Sequence, residues 1–298
     1  MRIGAIEAGG TKIVCGIGNE HGGIEERVSF PTEQPERSLA KIISYFEGKG
    51  VEAIGIGTFG PINLDPASAS YGCVTTTPKP GWSGYPFLGT LKAAFDIPFG
   101  WDTDVNAAAY GEAKWGAAKG LDSCVYYTIG TGIGVGIYAE SKLVHGLVHP
   151  EGGHIRTRRH AEDSFAGNCP YHGDCLEGMA AGPAIERRWG IKASELNEDH
   201  QAWEFEAFYI SEALTTAILM LSPKKIILGG GVMHQKQLFP RIRANVQQSL
   251  NGYVSSDTLL ADMDNYIVSP GLGDNAGLCG ALALGLAALE RSEIMAQK

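Results

Sequence analysis

The sequence predicts an α/β protein built from two similar halves, and three observations carry that reading. At 298 residues the chain can bury a substantial core, as one large or two ordinary domains. The stretch RIGAIEAGGTKIVCGIGN reads as an apolar strand, a Gly-rich turn and a second apolar strand, and SCVYYTIGTGIGVGIYAE returns to that layout later in the chain. Between and after these hairpins, short apolar runs ending at glycine alternate with longer helical patterns.

The first turn carries Glu7, Gly9, Gly10, Thr11 and Lys12, and the second Gly130, Thr131 and Gly132. Each offers closely spaced backbone N–H groups and a threonine hydroxyl, with glycines that let a phosphate reach the main chain. Singly, each is equally an ordinary tight hairpin; as a pair they suit a triphosphate. Next come a strand over residues 51–57, a loop through Thr58 and Pro61, a short strand at 99–101 and a helix from about 105 to 118. Gly55, Gly57 and Gly60 have dinucleotide-fingerprint spacing, but Pro61 follows directly and no acidic residue stands about twenty positions on. The segment therefore reads as a close-packed substrate loop around Gly60 and Pro61. No G-x-x-x-x-G-K-[ST] motif occurs, which excludes a P-loop enzyme.

WDTDVNAAAYGE sets Asp102, Thr103, Asp104 and Asn106 where a short strand meets an Ala-rich helix. Asp104 there is either a helix N-cap or a general base. Helical patterns follow at 182–189 and 203–221, then a strand at 225–228 that ends in Gly229, Gly230 and Gly231. That junction is either a simple turn or a close approach for a flat ligand. In GLGDNAGLCGALALGL, Asp274 or Asn275 is the expected N-cap of a closing helix whose start could face a polar part of a nucleotide.

The segment EGGHIRTRRHAEDSFAGNCPYHGDCLEG gathers His154, Cys169, His172 and Cys175 with spacing H-x14-C-x2-H-x2-C. Two thiolates and two imidazoles match zinc's taste for a tetrahedral S/N sphere, although this is not a standard finger spacing. Four protein ligands close the sphere, so zinc here is expected to be structural, folding a loop with little core and placing the nearby Glu151 and Glu177.

A hydrophobic content of 44% and a charged content of 19% describe a folded soluble chain, and a net charge of −9 argues against broad nucleic-acid binding. The small basic groups Arg156, Arg158, Arg159 and Arg187, Arg188 read as solvated surface or as local support for an anion. MRIGAIEAGG does not resemble a secretory signal, and the longest apolar stretch, 276–289, is short for a membrane span, so a cytoplasmic protein is expected. Cys15, Cys73, Cys124 and Cys279 are expected as reduced core residues.

Taken together, EAGGTK at 7–12, GTGIGVG from 130, EGGH at 151–154, CPYHGDCLEG from 169 and LGGGV near 228 resemble the ROK family of sugar kinases, most closely its bacterial fructokinase branch. The resemblance covers essentially the full length. It implies a two-lobed, actin-like (ribonuclease-H-like) ATPase fold with an interlobe active site and a structural zinc loop. On that basis residues 1–115 form an N-terminal lobe and 116–298 a C-terminal lobe, with packing of the final helix back on the first lobe left open. It further implies Asp104 as the base at the sugar O6 hydroxyl, and Thr103, Gly60, Pro61, Glu151, His154 and Glu177 around the sugar. Gly9, Gly10, Thr11, Lys12, Gly130, Thr131 and Gly132 would hold ATP phosphates, Gly229, Gly230 and Gly231 would meet the adenosine, and Mg2+ would accompany the nucleotide. Fructose is the favoured hexose, with mannose, glucose or N-acetylmannosamine as alternatives, and a homodimer is the implied assembly. The departures are Glu7 where many members have aspartate, Thr103 where asparagine is common, and His172 where a further cysteine is usual. The family's transcriptional regulators carry an additional N-terminal helix-turn-helix, whereas this sequence opens on its first strand, so a sugar-sensing DNA binder is the remote alternative.

Overall fold

In the computed structural model, which describes residues 1–297, the first hairpin folds as β1 (Ile3–Ala8) and β2 (Lys12–Gly18), antiparallel with Ile3 opposite Gly18. Then come β3 (Ile24–Pro31), α1 (Pro35–Phe46), β4 (Ala53–Thr58), α2 (Phe87–Ala94), β5 (Phe99–Thr103) and α3 (Asp104–Trp115). The sheet order is β3-β2-β1-β4-β5, with β4 parallel to both β1 and β5. Both faces are covered, and the alternation along β1 shows how. Ile6 and Ala8 enter a core with Ile42, Phe46, Trp82 and Phe87, while Ile3 and Ala5 meet Leu278, Leu282 and Leu286 of the last helix, α10 (Ala276–Ala296).

Packing against helices explains two glycines assigned above to a substrate loop. A Cβ on Gly55 would lie 1.7 Å from the Ala281 carbonyl oxygen, and one on Gly57 would lie 2.7 Å from the Ala107 methyl. Both residues sit inside β4 and let α10 and α3 close on it, so the loop of that stretch begins at Phe59 and carries Gly60 and Pro61.

The second hairpin is β6 (Cys124–Ile129) and β7 (Ile133–Ala139), and a two-residue strand, β8 (Lys142–Leu143), follows. After it come α4 (Leu176–Ala180), α5 (Gly182–Trp189), α6 (Ala202–Leu221), β9 (Ile226–Gly229), α7 (Leu238–Leu250), α8 (Asp257–Ala261), α9 (Met263–Tyr266) and β10 (Ile267–Val268). The order is β10-β9-β6-β7-β8, with β9 parallel to β6. Val125, Tyr127 and Ile129 share one core with Trp203, Ile210, Leu214, Leu228 and Ile242.

Contacts divide the chain into two units. The first holds Met1–Gly120, Lys142–Pro150 and the residues from Asn275 onward; the second holds Leu121–Ser141 and Glu151–Asp274. The division thus departs from a single break at 115, because α10 supplies one face of the first core. The start of α10 falls where expected. Asn275 stands at the N-cap position without a side-chain cap; its Oδ1 accepts from Arg27 at 2.9 Å, and Asp274 pairs with His234 at 3.1 Å. Among the described residues no helix is long and apolar enough to cross a membrane.

Candidate active site

Asp104 is the first residue of α3, and the N-cap is Thr103 instead: its Oγ1 accepts from the Asn106 amide at 3.1 Å. The cap assignment open for Asp104 is therefore filled by its neighbour. Asp104 Oδ1 accepts from the adjacent Val105 amide, at 2.9 Å. Burial pushes its carboxyl up to about 6 against an ordinary 3.8, since a charge taken from water is disfavoured. Such a group accepts a proton more readily than a solvated carboxylate while remaining largely ionised near neutrality.

Asp102, at the end of β5, braces this helix start. Its Oδ1 accepts from the Thr103 amide and from Asn106 Nδ2, both at 2.8 Å, and its Oδ2 meets His145 Nε2 at 2.7 Å. Asp102 is 2% exposed, and the bond to it raises the His145 pKa. His149 does a related job on the Gly60–Pro61 loop, where its Nε2 accepts from the Ile62 amide at 3.0 Å while burial lowers its pKa. An accepting Nε2 fixes the neutral tautomer with the proton on Nδ1. Neither histidine carries a motif; their partners lie 43 and 87 residues away in sequence, so only the fold reveals them.

The turn of the first hairpin has its carbonyls occupied. Thr32 Oγ1 donates to Gly9 O and Thr32 N to Thr11 O, Gly9 N closes on Lys12 O, and Lys79 Nζ donates to Gly10 O. Gly10 and Thr11 are exposed residues of this turn, and a glycine-rich turn whose amides are unengaged suits an anion. Lys79 adds a cation that the sequence reading did not include. Glu7 lies against Gly277 in the first turn of α10, where a Cβ would come within 2.5 Å of its carboxylate.

In the second unit the Gly130–Gly132 turn is tied to three segments. Gly182 N, at the start of α5, donates to Gly130 O at 2.8 Å; Ile133 N donates to Glu177 Oε2 at 2.9 Å; and a Cβ on Gly132 would meet that same oxygen at 2.7 Å. Gly230, at φ +90°, passes so close that a Cβ would lie 2.4 Å from Ile129 O. Gly230 and Gly231 therefore lie beside the Gly130–Gly132 turn, with open space where a Gly231 side chain would stand.

His154, Cys169, His172 and Cys175 converge, their ligand atoms all lying within 4.8 Å of one another. Cys169 Sγ is 3.8 Å from His154 Nδ1 and 3.6 Å from His172 Nδ1, and Cys175 Sγ is 3.5 Å from His154 Nδ1. Zinc bonds of about 2.3 Å to sulfur and about 2.0–2.1 Å to nitrogen, at tetrahedral angles, place S and N about 3.6 Å apart. Donor type and spacing both fit zinc. The loop is clasped by a two-way backbone pairing of Cys169 with Gly173, and Arg156 and Arg159 both pair with Asp174. Arg158 pairs with Glu212, and the 6%-exposed Arg188 side chain with Asp163. Arg156, Arg158 and Arg159 stay exposed, as the solvated-surface reading expects, while Arg188 departs from it, its side chain being buried against Asp163. Glu151 leads into the short turn Gly152–His154 and is exposed.

Two mixed sheets, each opening on a glycine-turned hairpin, together with an aspartate at a helix start and a closed thiolate–imidazole cluster, define the class. The sequence pattern of the ROK family matches residues 3–288, and the chain belongs to that family. A Bacillus subtilis protein is 55% identical over 97% of this chain and 96% of its own length. The fructokinase of Pediococcus pentosaceus is 47% identical over 98% of this chain and 100% of its own. Among solved structures, a ROK glucokinase from Streptomyces griseus in complex with glucose and AMPPNP superposes with a TM-score of 0.75 at 25% identity, covering 96% of this chain and 100% of that one.

Proposed function

We propose that this protein is a fructokinase, transferring the γ-phosphoryl group of ATP to O6 of D-fructose to give fructose 6-phosphate and ADP. The observation that carries the reading is Asp104: a carboxylate at a helix start, released from capping by Thr103, braced through Asp102 and raised toward neutrality. Relatives that bear the name fructokinase at 41–47% identity supply the sugar.

Phosphoryl transfer asks the protein mainly to align groups and neutralise charge. Asp104 orients the O6 hydroxyl and takes its proton as the O6–P bond forms and the bond to the β-phosphate oxygen breaks, releasing ADP. Gly60, Pro61, Glu151, His154 and Glu177 receive the remaining sugar hydroxyls, and Thr103 acts by fixing Asp104. Gly9, Gly10, Thr11, Lys12 and the Gly130–Gly132 turn hold the phosphates, with Gly229–Gly231 beside the adenosine. Magnesium bound to ATP would offset phosphate charge. His154, Cys169, His172 and Cys175 would hold zinc, which with four protein ligands would serve a structural role, while the His154 side chain also borders the sugar. The working assembly is a homodimer.

Phosphorus and carbon NMR of the product made from fructose and Mg–ATP tests the assignment. Phosphate on C6 is expected; phosphate on C1, or ADP formed equally without sugar, would remove it.

A further inference from the structure

Glu177 is expected to contact sugar, yet one of its oxygens is already engaged elsewhere. Its Oε2 accepts from the Ile133 amide at 2.9 Å, where the Gly130–Gly132 turn rejoins β7. Gly132 lacks a side chain at the point where a Cβ would stand 2.7 Å from that oxygen, so the turn is shaped around the carboxylate. Two further bonds hold the same assembly: Ala181 N donates to Glu177 O at 3.1 Å, and Gly182 N donates to Gly130 O at 2.8 Å. A carboxylate accepting an N–H has a second oxygen left over. We infer that Glu177 is a positioning residue for the nucleotide-phosphate turn, with Oε2 clamping the Ile133 amide and Oε1 left for a sugar hydroxyl, so that hexose and nucleotide binding are linked through one side chain.

The inference rests on the kinase reading above and deepens it. A carboxylate that served the sugar alone would leave nucleotide affinity unchanged when removed. A clamp would not, because the turn's N–H groups hold phosphates only while the turn keeps its shape. Linkage is reciprocal, so a hexose that steadies Glu177 must tighten nucleotide by the same factor that nucleotide tightens hexose.

Titration calorimetry of Mg–AMPPNP, without and with fructose, on the full-length wild type, Glu177→Ala and Glu177→Gln tests this. The wild type is expected to bind nucleotide, and more tightly with fructose present. Glu177→Ala should weaken nucleotide about tenfold without sugar and abolish the fructose effect. Glu177→Gln keeps an oxygen for the Ile133 amide, so it should bind nucleotide nearly as the wild type does while its KM for fructose rises. Circular dichroism and zinc content, matched to wild type, establish that the alanine variant is folded. Should it fail to fold, amide exchange of Ile133 in Glu177→Gln and Glu177→Asp decides instead: protection retained in Gln and lost in the retracted Asp supports the clamp. Wild-type nucleotide affinity in folded Glu177→Ala, or equal Ile133 protection in both substitutions, overturns the inference. Failure of the wild type itself to bind Mg–AMPPNP would instead overturn the kinase reading beneath it.

Discussion

Asp104 combines two properties that oppose each other. Its burial favours proton uptake, which suits a base, and the same burial makes the ionised carboxylate unfavourable in the folded chain. The folded pKa, about 6, lies above the ordinary 3.8, so the cost of ionisation is absent below about 3.8 and complete above about 6. Asp104→Asn removes it. The variant is expected to lose turnover almost entirely yet to melt at a higher temperature than wild type at pH 8, with a smaller difference at pH 5; calorimetry across that range reads the sign. The wild-type kcat/KM should rise with pH through about 6 and then level, as the free enzyme's base ionises. A profile flat from pH 5 to 8 would deny Asp104 that role. His145 acts one step back. His145→Ala should lower kcat roughly tenfold with little change in the KM for ATP, because Asp102 then holds the helix start without its outer partner.

At the scale of elements, the junction of β5 with α3 is the most sensitive point. Thr103→Ala forfeits the N-cap at a cost of about 1 kcal/mol and should lower the melting temperature by roughly 2–4 °C, with Thr103→Ser restoring it. Gly55→Ala should do more harm, since its methyl would overlap the Ala281 carbonyl and push α10 off β4. Much of this level was legible in the sequence. Both hairpins, the strand leading to Asp104 and the helices at 182–189 and 202–221 stand close to where local pattern puts them. β3 and α1 were not read: β3, IEERVSFP, is mostly polar on its outward positions, and α1 starts at Pro35 without a side-chain cap to mark it. Gly55 and Gly57 misled because a glycine that admits a helix and one that admits a ligand look alike until the neighbour is known. The four metal ligands were legible because their chemistry is local, whereas Asp102–His145 and Ile62–His149 join distant segments and leave no spacing to read.

At the scale of the whole molecule, the His154, Cys169, His172 and Cys175 cluster joins the ends of the loop that leads into α4, which carries the Glu177 carboxylate; zinc bound there would secure both. Native mass spectrometry is expected to find one zinc per chain. Its removal by a strong chelator should raise amide exchange across residues 154–178 and weaken nucleotide binding before the chain unfolds as a whole. The core of the second unit is separate from the two clusters that cover β1 and β4 in the first, so exchange in β1 and β4 should stay near its original level. Carefully purified protein without zinc would contradict this account of the loop.

The most direct measurement is ADP release with Mg–ATP across fructose, mannose, glucose and N-acetylmannosamine, beside a sugar-free control and the Asp104→Asn variant. Fructose-dependent turnover well above the other sugars, silent without sugar and lost in Asp104→Asn, is the predicted result. Preference for another hexose would reassign the sugar contacts while keeping the kinase, whereas turnover that survives Asp104→Asn or needs no sugar would contradict the account at its centre.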